Sequence, residues 1–164
     1  EVRVETHLNQ GSTFKIILPL TLAIIDGIII KSGEERFIVP LAQVHESIKT
    51  DTKDLQYVTG IGDILLLRGE NLPTVHLSEI LGRGNRSDTH SQKIAMVIRT
   101  QEHPFAVLVD DIIGQHQVVI KKLGIELQQF KGYSGSAILG DGKPALILEL
   151  TDLVSSRVGQ NYFY

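Results

Sequence analysis

The chain has 164 residues, 42% of them hydrophobic and 21% charged, with a formal charge of −3; this is enough apolar material for one substantial core or two small ones. No Lys/Arg cluster accompanies the slight acidity, which argues against the cation-lined face that a nucleic-acid backbone requires. The absence of cysteine excludes disulfides and thiolate metal or redox chemistry, as suits a cytosolic protein.

Residues 1–20 read as a strand, a turn at Asn9-Gln10-Gly11-Ser12 and a second strand over 13–18 that ends at Pro19. The chain opens within a strand-like alternation, Val2-Arg3-Val4-Glu5, with no signal sequence. It is therefore expected to be part of a longer protein, and the hairpin to belong to a preceding domain. The apolar stretch 16–30 is interrupted by Pro19, Thr21, Asp26 and Gly27, so no insertion into a membrane is expected from a run that should need about 20 apolar residues.

A strand at Ile28-Ile29-Ile30, a turn over 31–35 and a strand at Phe37-Ile38-Val39 that bends on to Val44 come next. Short helices are expected over 41–46 and 52–57, the second with Thr50-Asp51-Thr52 as its cap signal. Strands over 64–67 and 74–77 flank a turn at 69–73, and a helix follows over 78–81. Residues 82–92 are polar and Gly-containing, and read as a linker.

The second half repeats the plan: strand 95–98, turn 99–103, strand 105–109 with Ile112, strand 137–139, turn 140–144 and strand 145–148. A helix over 151–157 has Thr151 as its N-cap and Asp152 favouring the helix dipole. The same module twice points to a duplicated scaffold with a candidate docking groove at its seam. The nearly continuous β-branched runs mark strands buried on both faces or closed into small barrels. The expected fold is mainly β, two tandem SH3-like barrels with a few short helices, one plugging the mouth of each barrel.

Chemistry is sparse. The histidines at 7, 45, 76, 90, 103 and 116 include no i,i+4 pair and no acidic or thiol companions, so no metal site is expected. Asp110 and Asp111 are strand neighbours that point to opposite faces and read as solvated charge rather than an acid/base pair. Ser134-Gly135-Ser136 and Gly140-Asp141-Gly142 lack a following helix to cradle phosphate and read as turns. Asp141-Gly142 is expected to turn a hairpin between Leu139 and Ala145.

The segments 19–27 (Pro-Leu-Thr-Leu-Ala-Ile-Ile-Asp-Gly), 68–73 (Arg-Gly-Glu-Asn-Leu-Pro), 109–121 (Val-Asp-Asp-Ile-Ile-Gly-Gln-His-Gln-Val-Val-Ile-Lys) and 137–142 (Ala-Ile-Leu-Gly-Asp-Gly) together resemble the carboxy-terminal regulatory domain of the chemotaxis histidine kinase CheA, which is homologous to the coupling protein CheW. Gly11-Ser12-Thr13-Phe14 resembles the end of the ATP-binding domain of such kinases. The resemblance implies a hairpin and linker over 1–21 left from that domain. A CheW-like regulatory domain would follow over 22–158, with subdomain one at 22–82, a linker at 83–92 and subdomain two at 93–158.

The resemblance further implies a non-catalytic adaptor that binds the coupling protein CheW and the cytoplasmic tip of chemoreceptors. Such an adaptor would act on the rest of the kinase and sit in the cytoplasm at membrane-bound receptor arrays. The stretch should need no cofactor of its own, ATP and Mg serving the parent kinase. The alternatives are a fragment that still binds nucleotide through residues 11–14, or a free coupling protein.

Six residues are candidates for partner contact. Ile28 and Ile30 lie in an apolar strand, where core and contact roles are both open because one sequence cannot assign the face. Ile61 stands at a tip between Gly60 and Gly62. Arg68 falls in an Arg-Gly turn that the resemblance places on the partner surface, with a solvated turn charge as its other reading. Gln115 and His116 lie in a polar interruption that is either a groove-lining loop or a structural bulge.

Overall fold

Apolar runs this continuous are expected to be buried on both faces; the runs 28–30, 37–39, 95–98 and 105–109 are, whereas Leu66 and Ile138 leave one face of their strands exposed. The computed structural model describes residues 2–8, 10–18, 23–51, 53–83, 92–100 and 103–158, the side chains of 157 and 158 apart. β1 (Val2–His7) and β2 (Gly11–Ile16) form a separate antiparallel hairpin. β3 (Ile24–Ser32) and β4 (Glu35–Pro40) lead through a 3₁₀ turn (Leu41–Gln43) to β5 (Glu46–Thr50), β6 (Leu55–Val58), β7 (Gly62–Leu67), β8 (Glu70–His76) and α1 (Leu77–Ile80). Then come β9 (Lys93–Ile98), β10 (Phe105–Val109), β11 (Asp111–Val119), β12 (Tyr133–Ile138), β13 (Pro144–Leu148) and α2 (Leu150–Val158).

The repeat is present, but the sheets do not follow it. One sheet has the order β11-β3-β4-β13-β12 and the other β5-β9-β10-β8-β7-β6. Matching β3 with β9, β4 with β10, β5 with β11, β7 with β12 and β8 with β13 turns the first order into the second, save for the extra β6. Each repeat thus lends its first hairpin to the other's later strands: β4 runs parallel to β13, and β10 parallel to β8. β11 pairs with β3, and β5 with β9, both antiparallel. The division into 22–82 and 93–158 therefore does not mark two separate β-units. Most of the expected linker, residues 84–91, lies outside the described residues.

Side-chain alternation distributes the apolar runs among three cores. Ile28, Ile30, Phe37 and Val39 from one sheet meet Met96, Ile98, Phe105, Val107 and Val109 from the other, with Leu77, Ile80, Leu150, Leu153 and Val154 from the helices, in a shared central core. The intervening Ile29 and Ile38 point away from it and join Val118, Ala137, Leu139, Ala145 and Ile147. On the far side Leu65, Leu72, Ala95, Val97, Ala106 and Leu108 make the third core. Both helices contribute to the core between the sheets rather than each plugging a separate barrel, and the middle of the expected groove is filled by it. Neither sheet closes fully. In the five-stranded one, a single bridge from Lys121 to Ser136 links the chain beyond β11 to β12 at the opposite edge.

Three local expectations change. Residues 41–46 make only the 3₁₀ turn before the chain extends at Val44 and enters β5. In the 52–57 stretch, residues 55–57 fall in β6, because four residues gain more from the antiparallel ladder with β7 than from one helical turn. Asp54 there closes a turn by accepting the Asp51 N–H at 3.2 Å; Thr52 is outside the described residues. Pro73 lies within β8 opposite Ile64 rather than in a turn. It is tolerated because β10 pairs with β8 only over Thr74, Val75 and His76, so no ladder bond to β10 is asked of it. The short helix after β8 and the longer one after β13 form as expected, although α2 begins at Leu150 and places Thr151 inside its first turn.

Candidate functional site: the exposed ends and edges of the two sheets

The six candidate contact residues fall in four places. Ile28 and Ile30 are 7% and 0% exposed and belong to the central core. Their reading as contact residues is thereby corrected: alternation along β3 turns both toward β9 and β10, and no partner reaches them without opening the fold.

Ile61 is at the β6–β7 tip and 45% exposed, between Gly60 and Gly62, whose positive φ of 87° and 102° makes the bend. Arg68 begins the turn at the other end of β7. The two are separated by the length of that strand, about 20 Å at the usual rise, so they do not form one patch.

Arg68 is the only non-glycine residue with positive φ among the described residues, at 50° beside Gly69 at 89°. Two successive left-handed residues between Leu67 and Glu70 make the tight hairpin turn that suits the sheet's twist, and at its first position an arginine is strained by about 1 kcal/mol. Its guanidinium forks onto Glu46 at the start of β5, with nitrogen–oxygen distances of 3.3 and 3.0 Å. Arg99 and Glu70 make a second pair close by, at 3.2 Å. An exposed pair of this kind contributes about 0–1 kcal/mol, which does no more than offset the strain. A side chain kept at such a cost is more informative about function than one in a relaxed turn.

Gln115 and His116 are exposed on β11, an edge strand of the five-stranded sheet. The polar interruption is strand rather than loop, opposite Ile28 and Gly27, and the register shifts just before it, between Ile112 and Gly114. Ile113 at that bulge is 49% exposed. A bulge on an edge strand discourages unwanted strand addition.

Two further features were not legible in the sequence. The connection between β11 and β12 exposes Ile125, Leu127 and Phe130 in a turn-rich segment pinned by the Gln128 side-chain amide donating to the Leu123 carbonyl at 2.7 Å. Its apolar residues stand among Lys, Gly and Gln without period, which left no signal to separate them from core. The second feature is Asp110. It is the single residue between β10 and β11, where the chain crosses from one sheet to the other.

One Asp110 carboxylate oxygen accepts the Gly33 N–H at 2.6 Å, from the β3–β4 turn, and the other meets Lys93 at the start of β9. Its own N–H donates to the Lys31 carbonyl at 3.0 Å. Partial burial pushes this carboxyl up, but the bonds from Lys93 and Gly33 and the charges of Lys93 and Lys31 outweigh it and hold it below the ordinary carboxylate range. The expectation of a merely solvated charge fails because its partners lie 17 and 77 residues away.

At the other crossing, Gln43 donates to Glu149 at 2.7 Å and accepts the Leu150 N–H at 3.0 Å, capping α2 from a distant turn. Burial, then the charge of Asp152, pushes the Glu149 carboxyl up. Among the described residues there is no group of three or more metal-ligating side chains and no helix long and apolar enough to cross a membrane.

What the geometry defines is a two-sheet β protein with reciprocally exchanged repeats, whose notable groups lie on turns and edges and converge on no common point. The chain belongs to the CheW-like domain family, whose profile matches residues 26–158. It is 39% identical to Chemotaxis protein CheA of Klebsiella aerogenes, over 93% of this chain and 23% of that one. It is 37% identical to Chemotaxis protein CheA of Bacillus subtilis, again over 93% and 23%, and 34% identical to the sensor histidine kinase CheAY of Helicobacter pylori, over 91% and 18%. The chain thus spans about a quarter or less of the length of these relatives. Among solved structures, the scaffolding protein TtCheW from Thermoanaerobacter tengcongensis superposes with a TM-score of 0.61 at 18% identity, covering 76% of this chain and 88% of that one, a likeness of fold.

Proposed function

We propose that this chain is the regulatory docking module of a chemotaxis histidine kinase. In this reading it binds a coupling protein of the CheW type and the cytoplasmic tip of chemoreceptors, and relays receptor state to kinase domains elsewhere in its own polypeptide. It works in the cytoplasm, beside membrane-bound receptor arrays. The observation that carries the reading is the match of 93% of the chain to relatives named Chemotaxis protein CheA, within the CheW-like domain family. Catalysis, with its ATP and Mg, belongs to other parts of the parent.

Ile61, Arg68, Gln115 and His116 are its proposed contacts, and the strain at Arg68 is the observation that favours that residue. The test is a calorimetric titration of the chain against a coupling protein, with Arg68→Asn and Ile61→Glu alongside the parent. Asparagine accepts the left-handed turn, so Arg68→Asn keeps the fold and removes only the guanidinium. Loss of one anchoring side chain should weaken binding about tenfold or more. A parent that does not bind, or variants that bind like it, would overturn the docking reading or the residue assignment respectively.

A further inference from the structure

We infer that each repeat is the other's obligate docking partner, and that the second repeat of a separate copy of this chain can take the place of the one in cis. The inference rests on the sheet pairings and does not depend on the functional proposal. Taken alone, the first repeat keeps the β3–β4 hairpin and the β6-β7-β8 meander, and β5 pairs with nothing. The second keeps the β9–β10 and β12–β13 hairpins, and β11 loses its ladder with β3. Isolated hairpins are marginal in water, and the three-stranded meander supplies only Leu65 and Leu72 of a core whose other buried members, Ala95, Val97, Ala106 and Leu108, come from the second repeat, so neither repeat holds a whole core.

Bringing the repeats together forms four ladders, β3 with β11, β4 with β13, β5 with β9 and β8 with β10. It also assembles the central core, whose sheet contributions alternate between repeats: Ile28, Ile30, Phe37 and Val39 from the first, Met96, Ile98, Phe105 and Val107 from the second. An apolar centre ringed by main-chain ladders has the character of a permanent interface rather than a contact between finished domains. Every one of those pairings is made outside residues 84–91, so the covalent link carries none of them. Exchange of such elements between identical chains is a low-cost route to association.

The experiment inserts a specific protease site between Asn85 and Arg86 of the full chain, then cleaves the folded protein. Light scattering after size exclusion, far-UV circular dichroism and thermal unfolding are read before and after the cut. Both pieces should co-elute at the mass of one intact chain with unchanged dichroism. The unfolding midpoint should become dependent on protein concentration, as mass action requires once the halves are separate molecules. Mixing cut protein with a second cut preparation carrying a tag on its second repeat, through denaturant and back, should give tagged pieces bound to untagged first repeats. Separation of the pieces after cleavage, folded or unfolded, would overturn the inference. So would an inserted site that unfolds the uncut chain, since the link would then carry structural information.

Discussion

Gly132 lies before β12 with φ of +90°, and a Cβ built there would sit 2.6 Å from Cδ1, 2.7 Å from Cβ and 2.8 Å from Cα of Leu153 on α2. Replacing it by alanine asks for two things at once. The left-handed backbone costs about 1 kcal/mol for a residue with a side chain. The overlap involves backbone, so no rotamer change of Leu153 removes it; α2 must move away from the central core, at about 1–3 kcal/mol. Gly132→Ala should therefore lose about 2–4 kcal/mol, a large share of the 5–15 expected of a domain. Gly142 is the control: its φ is +81° and nothing lies within 4 Å of its would-be Cβ, so Gly142→Ala should cost only the backbone strain, about 1 kcal/mol. Urea unfolding followed by far-UV circular dichroism measures both. Equal losses, within about 0.5 kcal/mol, would refute the claim that α2 is packed against this backbone.

Ile30→Ala should destabilise by about 2–5 kcal/mol while Ile61→Ala changes stability by less than about 0.5 kcal/mol; the same urea titrations separate core from tip. Asp110→Asn should cost about 1 kcal/mol at neutral pH. Because the folded pKa of Asp110 is depressed, the parent's advantage is present above the ordinary aspartate value. It is lost as pH falls through the depressed one, so the two unfolding midpoints should converge in acid. Glu149 has the opposite sign: its raised pKa means that its charged form is disfavoured in the fold and that its contribution falls as pH rises past the ordinary glutamate value. Glu149→Gln keeps an acceptor for Gln43 and should match or exceed the parent at neutral pH, by no more than about 0.5 kcal/mol, with the difference gone in acid; a loss at neutral pH would count against the buried-charge reading.

The β character and the duplication were legible because β-branched runs and Gly-bearing turns are local signals, whereas β5, β6 and most of β11 were not among the expected strands. Asp141-Gly142 announced its own turn, with Gly142 at φ of 81°, and Gly60 and Gly62 announced the exposed Ile61. The exchange of hairpins between repeats was not legible, since which of two similar strands β4 pairs with depends on geometry formed only after collapse. The face of Ile28 and Ile30 depended on that same pairing. Helix was expected over 52–57 on a cap-like Thr50-Asp51-Thr52, but a cap signal without length loses to a neighbouring strand. Arg68's strain left no trace in composition, because arginine in a turn looks ordinary until its φ is known.

The additional strand β6 has no counterpart in the second repeat, where a turn-rich connection carrying Ile125, Leu127 and Phe130 stands instead. The internal symmetry that relates the sheets is therefore broken at one rim, six strands on one side and five on the other. A body that is nearly twofold but has unlike ends acquires polarity. A surface that fits one end therefore does not find the same strand edge at the other, and the near-repeat of sequence does not make the two ends interchangeable.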